Sequence, residues 1–206
     1  MKKLLIGLTG IIGCGKTTVS GMLEGLGVPV IYVDRAGRWA IDENDSVRSR
    51  IREQFGREVF LNDKLLDRGK MASIVFSDKK ALHAFNAIVH PVMIKRVQEQ
   101  IQQFRDSQIS APYLVVDAAL IFELALDEIL DYVVTVSASI ENCINRTHLR
   151  DRLSRQDILA RMASQLSAGE KERRADYVLA NDGTLKQLQE KVVSLHQWVL
   201  QRSART

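Results

Sequence analysis

Apolar residues along this chain fall into two alternating patterns. Short aliphatic runs of strand length recur, and the segments between them carry apolar residues at spacings of three and four, which is typical of helices. The runs of strand type are residues 3–8, 28–33, 113–117, 131–136 and 177–180. Strands that alternate with helices predict an α/β fold, with a parallel five-stranded sheet flanked by helices.

The longest stretch without a strand pattern lies between the second and third strands. Leu82 and Phe85 begin a helical spacing that continues with Val92, after His90 and Pro91. We expect a new helix to begin at Pro91, because proline is favoured in a first helical turn. An all-helical insertion of this size predicts a separate substrate-binding lobe.

Residues 10–17 match the phosphate-loop pattern G-x-x-x-x-G-K-[ST] without a mismatch, between the first strand and a helix predicted over residues 16–26. Glycines let backbone N–H groups converge on phosphate oxygens, the lysine reaches the β- and γ-phosphates, and the hydroxyl holds Mg²⁺. The pattern predicts a nucleoside triphosphate site formed by Gly10, Ile11, Ile12, Gly13, Cys14, Gly15, Lys16, Thr17 and Thr18.

Two acids follow predicted strands. Asp34 closes the second strand and Asp117 ends the third. In open α/β sheets the carboxyl ends of parallel strands face the ligand crevice, so Asp34 is a candidate for catalysis and Asp117 for approach to a metal. The alternatives are that Asp34 caps the following helix and that Asp117 merely ends a strand.

Arginines cluster between the fourth and fifth strands. Arg146 and Arg150 are four residues apart, so on a helix starting near Ser139 they share one face. A second helix is predicted to open at Ser154, and the pair of helices suits a lid whose arginines grip phosphates. The alternative is an ordinary solvated face of a charged helix.

Composition narrows the class of protein. The chain has 206 residues, a net charge of +4 and a pI near 9.1, without long basic runs. An anionic small molecule therefore explains the arginines better than nucleic acid does, and no apolar run reaches the length of a membrane span. Cys14 and Cys143 lack metal-site spacing. We expect a cytoplasmic protein that needs no nucleic acid, membrane or obligate protein partner.

Several segments together resemble the dephospho-CoA kinase family over nearly the whole chain. Apart from the phosphate loop they are residues 66–68, 75–76, 86–91, 117–123, 175–178 and 181–184. The resemblance implies a P-loop kinase fold whose core is about residues 1–34, 110–140 and 175–206. It implies a helical acceptor-binding lobe at about 35–109 and a helical lid at about 141–174.

The implied reaction is transfer of the ATP γ-phosphoryl group to the ribose 3′-hydroxyl of dephospho-CoA, with Mg²⁺. By resemblance the catalytic residues are Asp34, Lys16, Arg146 and Arg150, and Asn181 and Gly183 join the ATP site. Asp34, Arg68, His90 and Asp117 are implied to bind the acceptor, and Thr17 and Asp117 the metal. The expected small-molecule partners are ATP and dephospho-CoA.

This sequence departs from the family pattern at four positions. Tyr32 stands for the first acid of an Asp-x-Asp element, Ala119 for a proline, Ile11 for a glycine and Cys14 for a serine. A helix N-terminus lowers the pKa of a nearby thiol, which gives the hypothesis that Cys14 has a lowered pKa and that its alkylation inactivates the enzyme.

Two other functions remain open on the residues alone. A P-loop kinase for a nucleoside monophosphate or another metabolite would share the phosphate loop but not residues 86–91 and 117–123 as a set. A nucleotide-binding regulator without phosphoryl transfer would tolerate the departures at Tyr32 and Ala119, although the presence of Asp34 disfavours it.

Overall fold

Five strands form one sheet in the order β2-β3-β1-β4-β5 in this computed structural model, which describes residues 3–62 and 64–204. Their bounds are β1 Leu4–Thr9, β2 Val30–Tyr32, β3 Tyr113–Asp117, β4 Tyr132–Ser137 and β5 Tyr177–Ala180. The strand β1 pairs in parallel with β3 and β4, and β4 with β5. The α/β fold class predicted from the sequence is confirmed.

The helices connect these strands and fill the long insertion after β2. They are α1 Lys16–Gly25, α2 Val33–Glu43, α3 Asp45–Phe55, α4 Arg68–Ser77, α5 Lys79–Asp106, α6 Ile140–Asp151, α7 Arg155–Ala163, α8 Ala168–Arg174 and α9 Leu185–Ser203. Side chains that accept backbone N–H groups start several of them, as the capping residues Ser139, Ser154 and Thr184 do for α6, α7 and α9.

The chain divides into two compact units, which are described separately. The first, called here the sheet unit, comprises the chain up to Ile31 and from Phe104 onward, and the second, the helical unit, is Tyr32–Gln103. The core of the sheet unit joins β1, β3 and β4 to α1 and α9, and it is filled by aliphatic side chains such as Val19, Val134 and Leu195. Because β1 and β3 are buried along their whole length, they read as continuous apolar runs.

The helical unit has its own core of aliphatic side chains from α2 to α5. Ile51 and Val59 are fully buried in it, and the rings of Phe55 and Phe85 meet edge to face with centroids 6.2 Å apart. Arg48 is also buried, and its guanidinium donates to the carbonyl oxygens of Ile41 and Asp42. That charged side chain therefore fixes the corner between α2 and α3.

Two local predictions are wrong, those for Pro91 and for the number of lid helices, and one of the alternatives for Asp34 is excluded. Pro91 lies inside the continuous helix α5 and does not begin a helix, because apolar residues on both sides of it, Val89 and Met93, are buried and hold one helical path. Asp34 is not an N-cap, since Tyr32 occupies that position and Asp34 lies in the first turn. The predicted pair of lid helices is a set of three, with α8 as the third.

Candidate active site

The phosphate loop leads from β1 into α1, and its glycines meet two geometric demands. Gly13 and Gly15 have φ values of 81° and 97°, which side chains rarely adopt. A β-carbon at Gly13 would lie 2.2 Å from the carbonyl oxygen of Cys143, and one at Gly15 would lie 2.2 Å from Nδ2 of Asn181. The loop therefore packs against α6 and against the residue that follows β5, and only glycine fits at both contacts.

Lys16 and Asp117 form the charged centre of this region. The Nζ atom of Lys16 donates to Oδ1 of Asp117, and the hydroxyl of Ser20 donates to Oδ2 of the same carboxylate. The Asp117 side chain is 2% exposed and Ser20 is fully buried. Parallel pairing puts Asp117 beside Leu8 at the end of β1, which brings the acid to the phosphate loop. Sequence reasoning missed Ser20, since a serine in an amphipathic helix carries no signal of its own.

Asn181 joins the loop to the arginine segment. The side-chain Nδ2 of Asn181 donates to the backbone carbonyl oxygen of Cys14 at 2.8 Å. The backbone carbonyl oxygen of Asn181 accepts from Nη2 of Arg146 at 2.9 Å. The other terminal nitrogen of Arg146, Nη1, is buried and has no hydrogen-bond partner among the described residues. A buried donor of this kind lacks the acceptor that such groups normally have, so Arg146 is equipped to take an anionic oxygen.

Four other predicted residues of the sheet unit, Thr17, Thr18, Arg150 and Gly183, lie at its surface, whereas Gly10 and Ile11 are buried. Thr17 and Thr18 are exposed in the first turn of α1. Arg150 is exposed and forms a bidentate pair with the neighbouring Asp151 at 2.7 and 2.8 Å, which raises the pKa of the arginine. Gly183 lies in the turn before α9, where a β-carbon would meet Oε1 of Gln187 at 2.2 Å.

A network that the sequence did not predict lies beside the loop. Lys171 is fully buried, and its Nζ donates to both carboxylate oxygens of Glu123 at 2.7 and 2.9 Å and to the carbonyl oxygen of Ala119 at 2.8 Å. Burial lowers the pKa of Lys171, although Glu123 opposes that shift. Gln165 accepts the backbone N–H of Ile12 at 3.1 Å. No sign of this burial is visible in the sequence, because Lys171 lies among other charged residues of a helix and a buried lysine there has the same local sequence pattern as an exposed one.

The lowered pKa predicted for the Cys14 thiol is wrong. Cys14 is 1% exposed, and burial raises the pKa of its thiol. The Lys16 N–H group and the lysine charge lower that pKa by a smaller amount. Desolvation of the thiolate therefore outweighs the effect of the helix N-terminus. Cys143 is also buried, with a pKa raised to about 12.

The helical unit carries the other three predicted residues. Asp34 is exposed, and its carboxylate makes no hydrogen bond or ion pair within the described part of the chain. Arg68 is bound by both carboxylate oxygens of Asp42, at 2.8 and 2.7 Å. His90 is half-buried in α5, and burial lowers the pKa of its imidazole, which favours the neutral ring. The helix that carries each of these side chains thus sets its position, and for Arg68 the pair with Asp42 of α2 does so as well.

Two further findings concern ligands and membranes. No group of three or more His, Cys, Asp or Glu side chains arranged to hold a metal ion occurs in residues 3–62 and 64–204. Over the same residues, no helix is both long enough and apolar enough to cross a membrane.

Comparison with known proteins gives one consistent family. The family model for dephospho-CoA kinase matches residues 4–187 of the chain. The dephospho-CoA kinase of Latilactobacillus sakei is 35% identical over 198 residues, which cover 96% of each chain. The solved dephospho-CoA kinase of Campylobacter jejuni has a TM-score of 0.71 at 27% identity, over 96% of this chain and 98% of that one. A Thermus thermophilus protein of known crystal structure has a TM-score of 0.79 at 31% identity, over 98% of both chains.

Proposed function

The chain belongs to the dephospho-CoA kinase family, and we propose that it transfers the γ-phosphoryl group of ATP to the ribose 3′-hydroxyl of dephospho-CoA. In this reaction the bond from the γ-phosphorus to the bridging oxygen of ADP breaks, and a bond to the ribose 3′-oxygen forms. The 3′-hydroxyl proton leaves, and the products are ADP and coenzyme A. The observation that carries the proposal is a family match that spans the phosphate loop, Asp34, Arg68 and His90.

The phosphate loop and Lys16 bind the triphosphate in this proposal. Backbone N–H groups at the start of α1 point toward bound phosphate oxygens, and the helix dipole adds positive potential there. Lys16 rests on Asp117 in the structure and exchanges this partner for the β- and γ-phosphates when ATP binds. Its positive charge then stabilises the oxygens on which negative charge develops during transfer.

Mg²⁺ fits the oxygen groups that the sheet unit offers. The exposed hydroxyl of Thr17 follows Lys16, and Oδ1 of Asp117 becomes available once Lys16 leaves it. Mg²⁺ is typically held by few protein oxygens together with phosphates and water, which agrees with a hydroxyl and a carboxylate as the protein's share. When bound, the cation supplies neutralisation of charge at the β- and γ-phosphate oxygens.

Asp34 is proposed as the group that orients the acceptor hydroxyl and accepts its proton. Its exposed carboxylate makes no hydrogen bond or ion pair with the residues described, so its oxygens are available to accept that proton. A carboxylate within hydrogen-bond reach of the hydroxyl acts as a general base in such transfers. Arg68 and the neutral ring of His90 are proposed to bind the acceptor, and in that role Arg68 exchanges Asp42 for an anionic group of dephospho-CoA.

The arginines of α6 are proposed to close the phosphate site. The unpartnered Nη1 of Arg146 is the donor that takes a phosphate oxygen. Arg150 joins it by leaving Asp151, whose pair with it is exposed. Closure of α6 and α7 as a lid would exclude water and suppress hydrolysis of ATP.

The cellular setting belongs to the same proposal. Cys14 and Cys143 are both buried free thiols, which suit a reducing compartment such as the cytoplasm. The two small-molecule partners are ATP and dephospho-CoA, and neither nucleic acid, membrane nor another protein is needed for the reaction as proposed.

The test is a product assay with acceptor competition. The purified protein is incubated with MgATP and dephospho-CoA, adenylate, cytidylate or a simple alcohol, and ³¹P NMR identifies the phosphorylated product. We expect a new 3′-phosphomonoester on dephospho-CoA alone. The matched variant Lys16→Met, purified in the same way, controls for a contaminating host kinase and is expected to form no product.

Two results would overturn the proposal. Phosphorylation of adenylate or cytidylate in place of dephospho-CoA would identify a kinase with another acceptor. Binding of ATP without product from any acceptor would favour a nucleotide-binding regulator.

A further inference from the structure

The turn between α7 and α8 is attached to the phosphate loop at Ile12. The backbone N–H of Ile12 donates to Oε1 of Gln165 at 3.1 Å. Both residues are half-buried, and a backbone N–H group that is shielded from water needs an acceptor within the protein. Ile12 directly precedes Gly13, the loop residue that packs on Cys143. The peptide held by Gln165 therefore lies directly before the loop residues whose N–H groups are proposed to bind phosphate.

Gln165 is itself held in place by its neighbours. Its backbone N–H donates to the carbonyl oxygen of Met162 at 3.0 Å, which continues the end of α7. The next N–H group, that of Leu166, donates to Oε1 of Glu123 at 2.7 Å. Glu123 is paired with the fully buried Lys171. The backbone of the turn on either side of the Gln165 side chain is therefore anchored, on one side through a charged pair.

The same network also includes the last residue of β1. Lys171 donates to the carbonyl oxygen of Ala119, and that oxygen also accepts the hydroxyl of Thr9 at 3.1 Å. Thr9 is the last residue of β1 and is fully buried. The phosphate loop is thus braced on both sides of Gly10, from Thr9 before it and from Ile12 after it. Each contact lies within the sheet unit.

We propose that Gln165 is a positioning residue that fixes the phosphate loop by accepting the Ile12 N–H. It acts through the loop and does not itself contact the nucleotide. With the Ile12 peptide fixed, the loop backbone from Gly13 to Lys16 keeps its path before ATP arrives, which reduces the ordering that binding would otherwise require. The inference rests on the proposed function only in that the loop binds a nucleotide.

Gln165→Met tests the role of the acceptor oxygen, because methionine has a similar length and its thioether sulfur is only a weak acceptor. Amide hydrogen exchange by NMR is expected to accelerate about tenfold at Ile12, and the affinity for ADP to fall about tenfold. Exchange at Leu166 provides an internal reference, since its N–H is held by Glu123 and should not change. The matched control is Gln156→Met, at an exposed position of α7, which should alter neither quantity.

Gln165→Glu separates the acceptor from the size of the side chain. Glutamate retains an oxygen that accepts the Ile12 N–H, so exchange there should stay within about twofold of the unmodified protein. Fast exchange at Ile12 in both variants would overturn the inference, because the oxygen would not be what holds the peptide. Unchanged ADP affinity in Gln165→Met would also overturn it, since a purely structural contact would lower thermal stability without affecting nucleotide binding.

Neither measurement uses dephospho-CoA. If the unmodified protein binds ADP but fails to phosphorylate dephospho-CoA, the proposed acceptor is wrong while the role of Gln165 is still tested. If ADP does not bind at all, the proposed function and this inference fail together at their shared premise.

Discussion

The sheet unit contains a buried charged network, whereas the helical unit holds its charged candidate residues Asp34 and Arg68 at the surface. In the sheet unit, Asp117 and Lys171 are buried and bound by several partners. In the helical unit, Asp34 and Arg68 are exposed, and Arg68 has one local carboxylate partner. The Arg68 and Asp42 side chains are 46% and 39% exposed, whereas those of Lys171 and Glu123 are 0% and 19% exposed.

This difference separates preorganised groups from available ones. Buried charges must be paired and hydrogen-bonded in advance, because an unpaired charge away from water is costly. Exposed charges exchange partners at little cost, since water replaces the lost contact. The buried network of the sheet unit is therefore formed before any ligand binds, whereas the exposed charged side chains of the helical unit can exchange their partners. Substitutions in the two units should differ in what they damage.

The largest expected effect is on turnover and comes from the helical unit. Asp34→Asn keeps the shape of the side chain but removes the proposed proton acceptor, so kcat should fall by about 10²–10⁴-fold. Affinity for ATP, measured by calorimetry, should remain close to that of the unmodified protein because Asp34 lies outside the phosphate loop. Glu43→Gln, an exposed acid at the end of the same helix, is the matched control. Normal turnover in Asp34→Asn would remove Asp34 from catalysis.

The next effect is on stability and comes from the sheet unit. Lys171→Met leaves the Glu123 carboxylate without its buried cation, so the free energy of unfolding in urea should fall by about 3 kcal/mol. The double variant Lys171→Met with Glu123→Gln removes the stranded charge and keeps an acceptor for the Leu166 N–H. It should therefore be more stable than Lys171→Met alone. A loss below about 1 kcal/mol would place this pair with ordinary surface pairs.

A smaller effect is expected at Ser20, whose hydroxyl donates to Asp117. Hydrogen bonds to charged groups contribute about 1.5–3 kcal/mol, so Ser20→Ala should lower the free energy of unfolding by that amount. Ser203→Ala is a matched control, because Ser203 is also a buried helical serine and its hydroxyl has no partner in the part of the chain described. Equal losses in the two variants would mean that the contact with Asp117 contributes nothing specific.

The smallest effect should come from the exposed pair of the helical unit. A double-mutant cycle with Arg68→Met and Asp42→Asn should give a coupling energy of about 0–1 kcal/mol in urea unfolding. The coupling should decline further in high salt, because ions screen exposed charges. A coupling as large as the loss from Lys171→Met would show that the two units do not differ in the way proposed.

Local sequence signals predicted the features that depend on neighbouring residues. The strand β3 was predicted with the bounds that the structure gives, because a fully buried parallel strand reads as a continuous apolar run. Ser139 and Ser154 were placed at helix starts, and both accept a backbone N–H there. Capping needs only a few residues of chain, so its signal is visible without tertiary structure.

The same kind of reasoning failed where distant residues decide. Pro91 was expected to begin a helix, but the apolar residues on either side of it pack into one core and carry α5 through the proline. The pKa of Cys14 was expected to be lowered by the helix N-terminus, yet burial by surrounding segments raises it. Propensity and helix dipole are modest effects, and packing overrides both.

The sequence by itself determined the α/β fold class, the phosphate loop from Gly10 to Thr17 and the family. Each of these depends on short sequence patterns and on their order along the chain. Only the tertiary structure decided which polar side chains share a network. Lys171 reaches Glu123, and Gln165 reaches Ile12 across 153 residues of chain. Such partners are chosen by the path of the backbone in space. A buried charge or amide must find an acceptor wherever folding places it, so its role appears only when the chain is folded.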